Sequence, residues 1–250
     1  MPCAWIISIG DELLAGRVIN WNAYWIAKRL TGLGIHVTRI ICIPDDVEAI
    51  KETIVSALQS NVDYIFTTGG LGPTPGDVTL EGIAGAINRK LRLDERALEY
   101  VRRRYEELYE LGLVEHKNID SSRKKMAFIP EGADVIYNDV GVAPGVVIRH
   151  GKTMIFVLPG VPSEAMYLFE KIVPRIAIEK HVEVVEDFIA IRDESKVSSV
   201  LEDVRRSFPD VSIKTYPTGF GERKMRIIAI GTDRERIVEA IHRLKKMLKD

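Results

Sequence analysis

The 250 residues, 46% of them hydrophobic and 28% charged, are enough for one large domain or for an ordinary domain with a smaller companion, and they exclude a chain too polar to bury a core. Lysine and arginine number 35 against 36 aspartates and glutamates, a formal charge of −1, so no whole-molecule field draws the protein to nucleic acid or to an anionic membrane. No apolar run approaches the ~20 residues that cross a bilayer, and Met1-Pro2-Cys3-Ala4-Trp5 lacks the basic start of a signal peptide, so a cytoplasmic protein with a small-molecule ligand is expected. Cys3 and Cys42 have no metal or redox spacing and lie in apolar runs, which predicts buried, reduced thiols. A charge-rich chain whose one glutamine is Gln59 fits the composition of a thermophile.

In chain order, Ala4 to Ile9 is a short apolar run that opens into Gly10-Asp11-Glu12, a buried strand ending in a loop. Asn22 to Leu30 sets Ala23, Ile26, Ala27 and Leu30 on one helical face, and Gly32 and Gly34 stop that helix. The unit then repeats. Val37 to Ile43 is strand-like, Pro44-Asp45-Asp46 turns, and Val47, Ile50, Ile54 and Leu58 mark a helix face. Val62 to Thr68 is a third strand, with Leu80, Ile83, Ala84 and Ile87 on a third helix. Strands alternating with helices predict an α/β fold, a mostly parallel sheet with helices on both faces and a ligand site at the carboxyl ends of its strands.

Asp94 to Leu111 is a charged helix in which Arg102-Arg103-Arg104 interleaves with Glu106, Glu107 and Glu110, as on a solvated face held by i,i+4 ion pairs. Asp134 to Tyr137 is strand-like, and Gly145 to Arg149 and Thr153 to Leu158 form a hairpin at His150-Gly151. A helix is expected from about Glu164, capped by Ser163 and ended or kinked by Pro174. Residues 1–180 are read as the first domain. Residues 181–250 form a β-α-β-β-α companion: strand Val182 to Ile191, helix Ser195 to Phe208, strands Val211 to Tyr216 and Lys224 to Ile230 joined by a hairpin loop over 217–221, and helix Arg234 to Leu248.

The strand ending in Thr67-Thr68-Gly69-Gly70-Leu71-Gly72-Pro73-Thr74 gathers unobstructed backbone N–H groups, a concavity suited to the phosphates of a nucleotide-like or pterin-like ligand. It is neither a Walker A loop nor a dinucleotide fingerprint. Gly70 is expected to be glycine for close backbone approach or for positive φ. Asp77 follows in Asp77-Val78-Thr79; beside a bound phosphate its carboxylate makes sense with a bridging divalent cation or as a group that positions a nucleophile, and otherwise Asp77 or Thr79 caps the next helix. Asp45 carries the same alternatives, because Asp45-Asp46-Val47-Glu48 also fits a capping box. The five histidines are scattered, so zinc ligation is not expected.

Pro44-Asp45-Asp46, the Gly-rich loop with Asp77-Val78-Thr79, and Pro159-Gly160-Val161-Pro162-Ser163-Glu164 together resemble the MoaB/Mog molybdopterin-binding fold. With Ile9-Gly10-Asp11-Glu12-Leu13-Leu14 and Gly141-Val142-Ala143-Pro144-Gly145, the resemblance is closest to the first domain of CinA-type proteins, and it extends over the small C-terminal unit. It implies catalytic roles for Asp45 and Asp77. It implies ligand contacts from Gly10, Asp11, Glu12 and Asn22, from Thr68, Gly69, Gly70, Leu71, Gly72 and Thr74, and from Pro159, Gly160, Pro162, Ser163 and Glu164.

Gly76 stands where CinA relatives carry a second loop aspartate, which leaves Asp11, Glu12 and Asp46 to complete a metal site with Asp77. The resemblance further implies a divalent metal such as Mg²⁺, a homo-oligomer, and one of three functions. These are hydrolysis of a dinucleotide diphosphate of the ADP-ribose or FAD class, a molybdopterin step (adenylylation or metal insertion), or ligand binding without turnover. The amidohydrolase domain of many CinA proteins has no counterpart in these residues, so nicotinamide mononucleotide deamidation is not expected.

Overall fold

A computed structural model describes residues 2–176, 184–190, 194–217 and 224–248. In chain order the elements are β1 (Cys3–Ile9), α1 (Asp11–Leu14), α2 (Trp21–Gly32), β2 (His36–Ile43), α3 (Val47–Gln59), β3 (Tyr64–Thr68), α4 (Thr79–Ala86), β4 (Leu91–Leu93), α5 (Glu95–Glu110), α6 (Ser121–Lys125), β5 (Phe128–Pro130), β6 (Asp134–Ile136), β7 (Gly145–His150), β8 (Thr153–Leu158) and α7 (Pro162–Ile172). Then follow β9 (Val184–Ala190), α8 (Glu194–Ser207), β10 (Ser212–Pro217), β11 (Met225–Gly231) and α9 (Arg234–Met247). Two compact units result. Their boundary, like one placed at residue 180, falls within 177–183, outside the described residues.

The larger unit is built on a six-stranded sheet of order β2-β1-β3-β8-β7-β6. β2, β1, β3 and β8 run parallel, β7 runs against them, and β6, antiparallel to β7, again runs with them. The chain leaves β1 for β2 on one side and returns to β3 on the other. That reversal of strand order opens a crevice beyond the carboxyl ends of β1 and β3. Because β7 is antiparallel to β8, the segment that enters β7 lies at the same edge of the sheet.

Helices cover both faces because alternate residues of each central strand are apolar on opposite sides. Trp5, Ile7 and Ile9 of β1 pack in one core with Ile50 and Ile54 of α3, Ile83 of α4 and Tyr100 and Val101 of α5. On the other face Phe66 stacks on Phe156 at 5.0 Å, and Phe169 of α7 meets both Phe66 (5.6 Å) and Trp25 of α2 (5.3 Å). No described helix is long and apolar enough to cross a membrane.

Local chemistry moves some boundaries. Helix α7 starts at Pro162 with Val161 as N-cap, so Ser163 sits inside the first turn and caps nothing; proline's fixed φ and missing N–H suit that first position. Pro174 lies in a 3₁₀ turn, Val173–Arg175, that ends the helix. Helix α3 is capped by Asp46, whose Oδ1 accepts from Ala49 N at 2.8 Å. The capping box from Asp45 to Glu48 is therefore not formed, and Glu48 pairs with Lys51 instead. The thiols are free but not buried: Cys3 is half-buried and Cys42 exposed, the latter on β2, an edge strand with no neighbour on its outer side among the described residues. Arg102, Arg103 and Arg104 pair with Glu99 and Glu107, two of the three links being i,i+3 rather than i,i+4.

The smaller unit is a three-stranded antiparallel sheet, β10-β11-β9, with α8 and α9 and its own core of Val204, Phe208, Ile227, Ile237 and Leu244. Asp233 caps α9 through Glu235 N and Arg236 N. The expected hairpin loop falls, beyond Pro217, outside the described residues.

The cap at Asp46 gives a direct expectation. Asp46→Ala should cost about 1 kcal/mol of stability in chemical denaturation, and Asp46→Asn only a few tenths, roughly, because asparagine caps equally well. A destabilised Asp46→Asn protein would contradict a purely capping role.

Candidate functional site

The ends of β1, β2, β3 and β8 and the segment entering β7 surround a cleft of about 650 Å³. The turn after β1 supplies Gly10 and Glu12, and the turn after β2 supplies Asp45. The loop after β3 contributes Gly69, Gly70, Leu71, Gly72, Thr74 and Asp77; the turn after β8 adds Pro159 and Gly160, and the first turn of α7 adds Glu164. Other expected site residues lie behind this lining. Thr68 is buried, its Oγ1 3.5 Å from Ser8 Oγ. Asn22 Nδ2 donates to Gly160 O at 2.8 Å and so steadies the turn after β8. Asp11 offers its backbone N–H, and Pro162 and Ser163 belong to the start of α7.

The glycines after β3 are required by the loop's own geometry. Gly69 (φ 104°) and Gly70 (φ 63°) are left-handed, where any β-carbon is strained. A β-carbon on Gly69 would run into the Ile9 carbonyl oxygen, and one on Gly70 into Thr79 Oγ1. Thr79 locks the turn by donating Oγ1–H to Gly69 O (2.9 Å) and N–H to Gly70 O (3.2 Å). The side-chain direction at Gly70 thus points to α4 rather than into the cleft. Among the described residues the N–H groups of Gly70, Leu71 and Gly72 have no acceptor within the chain. Successive unpaired backbone N–H groups are the donors that anion-binding concavities are built from.

Asp77 does not cap α4, whose N-cap is Val78 without a side-chain bond. Its Oδ2 accepts from Thr74 N (2.8 Å) and Thr74 Oγ1 (2.5 Å), while Asp77 N donates to Thr74 O (3.1 Å). Asp77 therefore closes the far side of the Gly-rich loop and keeps Oδ1 free. Asp45 uses Oδ2 to accept the Asp11 N–H at 3.0 Å. Partial burial pushes the Asp45 carboxyl above the ordinary aspartate range; the Asp11 N–H opposes this, and the like charges of Glu12, Asp11 and Asp77 add to it.

The opposite wall was not legible residue by residue. Tyr105 and Leu108 of α5, with Met126, Val142 and Ala143, give the cleft an apolar side. Buried Asn138 organises the segment entering β7: its Nδ2 donates to Ala143 O (3.0 Å) and Glu164 Oε2 (2.6 Å), and its Oδ1 accepts from Gly141 N (3.1 Å). Arg104, mostly buried rather than solvated, donates Nε–H to Gly141 O at 2.9 Å. Tyr100 donates to Asn138 O, and burial pushes its hydroxyl up to about 12. Burial also raises the Glu164 carboxyl, opposed by the Asn138 bond and the Arg104 charge. The Gly141 to Gly145 motif marks this wall in the sequence; Asn138, Arg104 and Tyr100 lie outside any motif.

No group of three or more histidine, cysteine, aspartate or glutamate side chains is placed to hold a metal among the described residues. Asp46 caps α3 through Oδ1 and is not among the residues that line the cleft. Asp45 and Asp77, each with one oxygen taking no bond among the described residues, suit Mg²⁺, which is commonly held by one or two carboxylates together with the ligand's own phosphates.

Residues 5–178 match the family model described as "Probable molybdopterin binding domain". A protein of Pyrococcus furiosus is 42% identical over 242 residues, 96% of this chain and 94% of the relative. One of Aeropyrum pernix is 42% identical over 255 residues, 98% of this chain and 92% of the relative. Among solved structures, CinA from Thermoplasma acidophilum, described as a protein of unknown function, is 37% identical with a TM-score of 0.62 and covers 69% of this chain and 98% of its own.

The raised Asp45 carboxyl has a signed consequence. Its protonated form is favoured by folding, so its contribution to stability is full below the ordinary, unfolded aspartate value and is lost as pH rises through the higher folded one. Glu12→Gln should move the Asp45 titration to lower pH, as followed by carboxyl-carbon NMR. An unmoved titration would show that Glu12 does not act on Asp45.

Proposed function

The chain belongs to the molybdopterin-binding-domain family, and from that premise we propose that the cleft hydrolyses the diphosphate of an adenine dinucleotide of the ADP-ribose or FAD class with the help of a divalent metal. The observation that carries this reading is one of charge. Among the described residues the lining includes Glu12, Asp45, Asp77 and Glu164 but no lysine or arginine, and the N–H groups of Gly70, Leu71 and Gly72 in that lining have no acceptor. A diphosphate can sit among carboxylates only if a cation offsets the repulsion.

In this reading the loop N–H groups bind one phosphate and orient the diphosphate. Asp77 holds the loop closed through Thr74 and turns its free oxygen to the ligand. Asp45, fixed by the Asp11 N–H, accepts a proton from the attacking water on its free oxygen. The water oxygen bonds to phosphorus and the bridging P–O bond breaks, so ADP-ribose gives AMP and ribose 5-phosphate. A divalent cation such as Mg²⁺ would be held by the free oxygen of Asp77 together with the ligand's phosphates and would supply neutralisation of the phosphate charge.

A second reading takes molybdopterin as the ligand, with adenylylation or metal insertion as the step, and is favoured by the family's description.

Incubation with ADP-ribose, FAD and ATP under several divalent metals, with product analysis, tests these readings. Metal-dependent AMP release from ADP-ribose is expected, abolished by chelation. Asp77→Asn should keep the melting temperature, because the amide oxygen can accept both Thr74 bonds, yet lose about 10²–10⁴-fold in turnover. Turnover of none of the three alongside tight molybdopterin binding would select the second reading. Wild-type turnover and metal dependence in folded Asp77→Asn would remove Asp77 from the chemistry.

A further inference from the structure

A second cavity, of about 210 Å³, lies behind the Gly-rich loop and shares Gly70, Leu71, Gly72, Asp77 and Met126 with the main cleft. Its own walls are Leu80 of α4, Leu91 of β4 and Phe128 of β5. Its polar rim is Glu81, Ser121 and Lys125. The volume is below the ~300–1,000 Å³ of a pocket that encloses a whole ligand, so it suits one part of a larger molecule.

Three observations say which part. Phe128 is 37% exposed although it is aromatic and stands in a strand, leaving ring surface open at the cavity. Lys125 donates Nζ–H to Thr74 O at 2.9 Å and makes no ion pair among the described residues, so its charge is available where loop and cavity meet. Glu81 is exposed at the rim and offers a carboxylate acceptor. Apolar walls with one aromatic ring match the faces of a planar heterocycle, Glu81 matches an exocyclic amine, and Lys125 matches the phosphate that follows.

We propose that this compartment is the base subsite, taking an amino-bearing planar heterocycle such as adenine while the attached phosphate lies on the N–H groups of Gly70 to Gly72. The inference rests on the reading of that loop as a phosphate cradle. It gives Leu71 a role as the partition between phosphate and base, and it assigns β4, α6 and β5 to ligand selection.

The test is calorimetric titration of the full chain, with Mg²⁺ present, by AMP, ribose 5-phosphate and inorganic pyrophosphate. Wild-type protein should bind AMP at least about 10-fold tighter than ribose 5-phosphate. Phe128→Ala, which removes the ring, and Ser121→Phe, which fills the cavity from its exposed rim, should each weaken AMP by about 5- to 100-fold, the usual effect of a base–aromatic contact. Ribose 5-phosphate and pyrophosphate should be unaffected in both, with melting temperatures unchanged. Equal binding of AMP and ribose 5-phosphate to the wild type overturns the base subsite alone. An AMP preference that survives both folded variants places the base elsewhere and likewise overturns it. Binding of none of the three probes overturns the phosphate cradle, and the base subsite with it.

Discussion

The approach of three strand ends to one another is the constraint on which the rest of the site depends. Gly69 follows β3, passes directly against the carbonyl of Ile9 at the end of β1, and has its Cα 3.4 Å from where a Gly160 side chain would begin after β8. Interiors pack to crystal-like density, so a methyl group at Gly69 would have to separate strands that are hydrogen-bonded along their length, while one at Gly160 would already touch Gly69. With no side chains there, the turns after β1, β3 and β8 nest. Their nesting sets Glu12, Asp77 and Glu164 around one cleft, and the turn after β2 brings Asp45. The site is thus a by-product of backbone proximity at a topological switch point.

That geometry concentrates negative charge. The lining carboxylates are managed differently. Glu164 is tied through Oε2 to Asn138 and lies in the field of Arg104. Asp45 is left where burial and neighbouring carboxylates both disfavour its charge. Such a group gains most from an incoming cation or proton.

What the sequence disclosed follows from what is local. The buried strands β1, β3 and β8 were legible as apolar runs, and α2, α3 and α5 as periodic faces, because each signal is contained in its own segment. The motif loops were legible because glycine, proline and aspartate cluster there. Single-residue assignments failed where two adjacent residues could serve: Asp46, not Asp45, caps α3, and Pro162 draws the start of α7 ahead of Ser163. The exposure of Cys42 depends on β2 being an edge strand, which is a fact of sheet order. The short elements α1, α6, β4 and β5 carry too few residues to show a period. Asn138 bonds to Glu164, 26 residues away, and Arg104 to Gly141, 37 away; nothing in either segment announces the other.

Those single-residue outcomes also decide which carboxylates remain for chemistry. Asp46 caps α3 and lies outside the cleft lining, and Glu164 lines the cleft with Oε2 taken by Asn138. Asp45 and Asp77 each fix one oxygen on a backbone N–H, from Asp11 and Thr74 respectively, and take no further bond on the other oxygen among the described residues. A carboxylate anchored through one oxygen has already lost most of its rotamer freedom, so presenting the second to a ligand or cation costs little further ordering. The anchors belong to loops that the glycine contacts hold together, Asp11 beside Gly10 and Thr74 beyond Gly72. A substitution that loosened Gly69 would therefore release both carboxylates at once, although it touches neither.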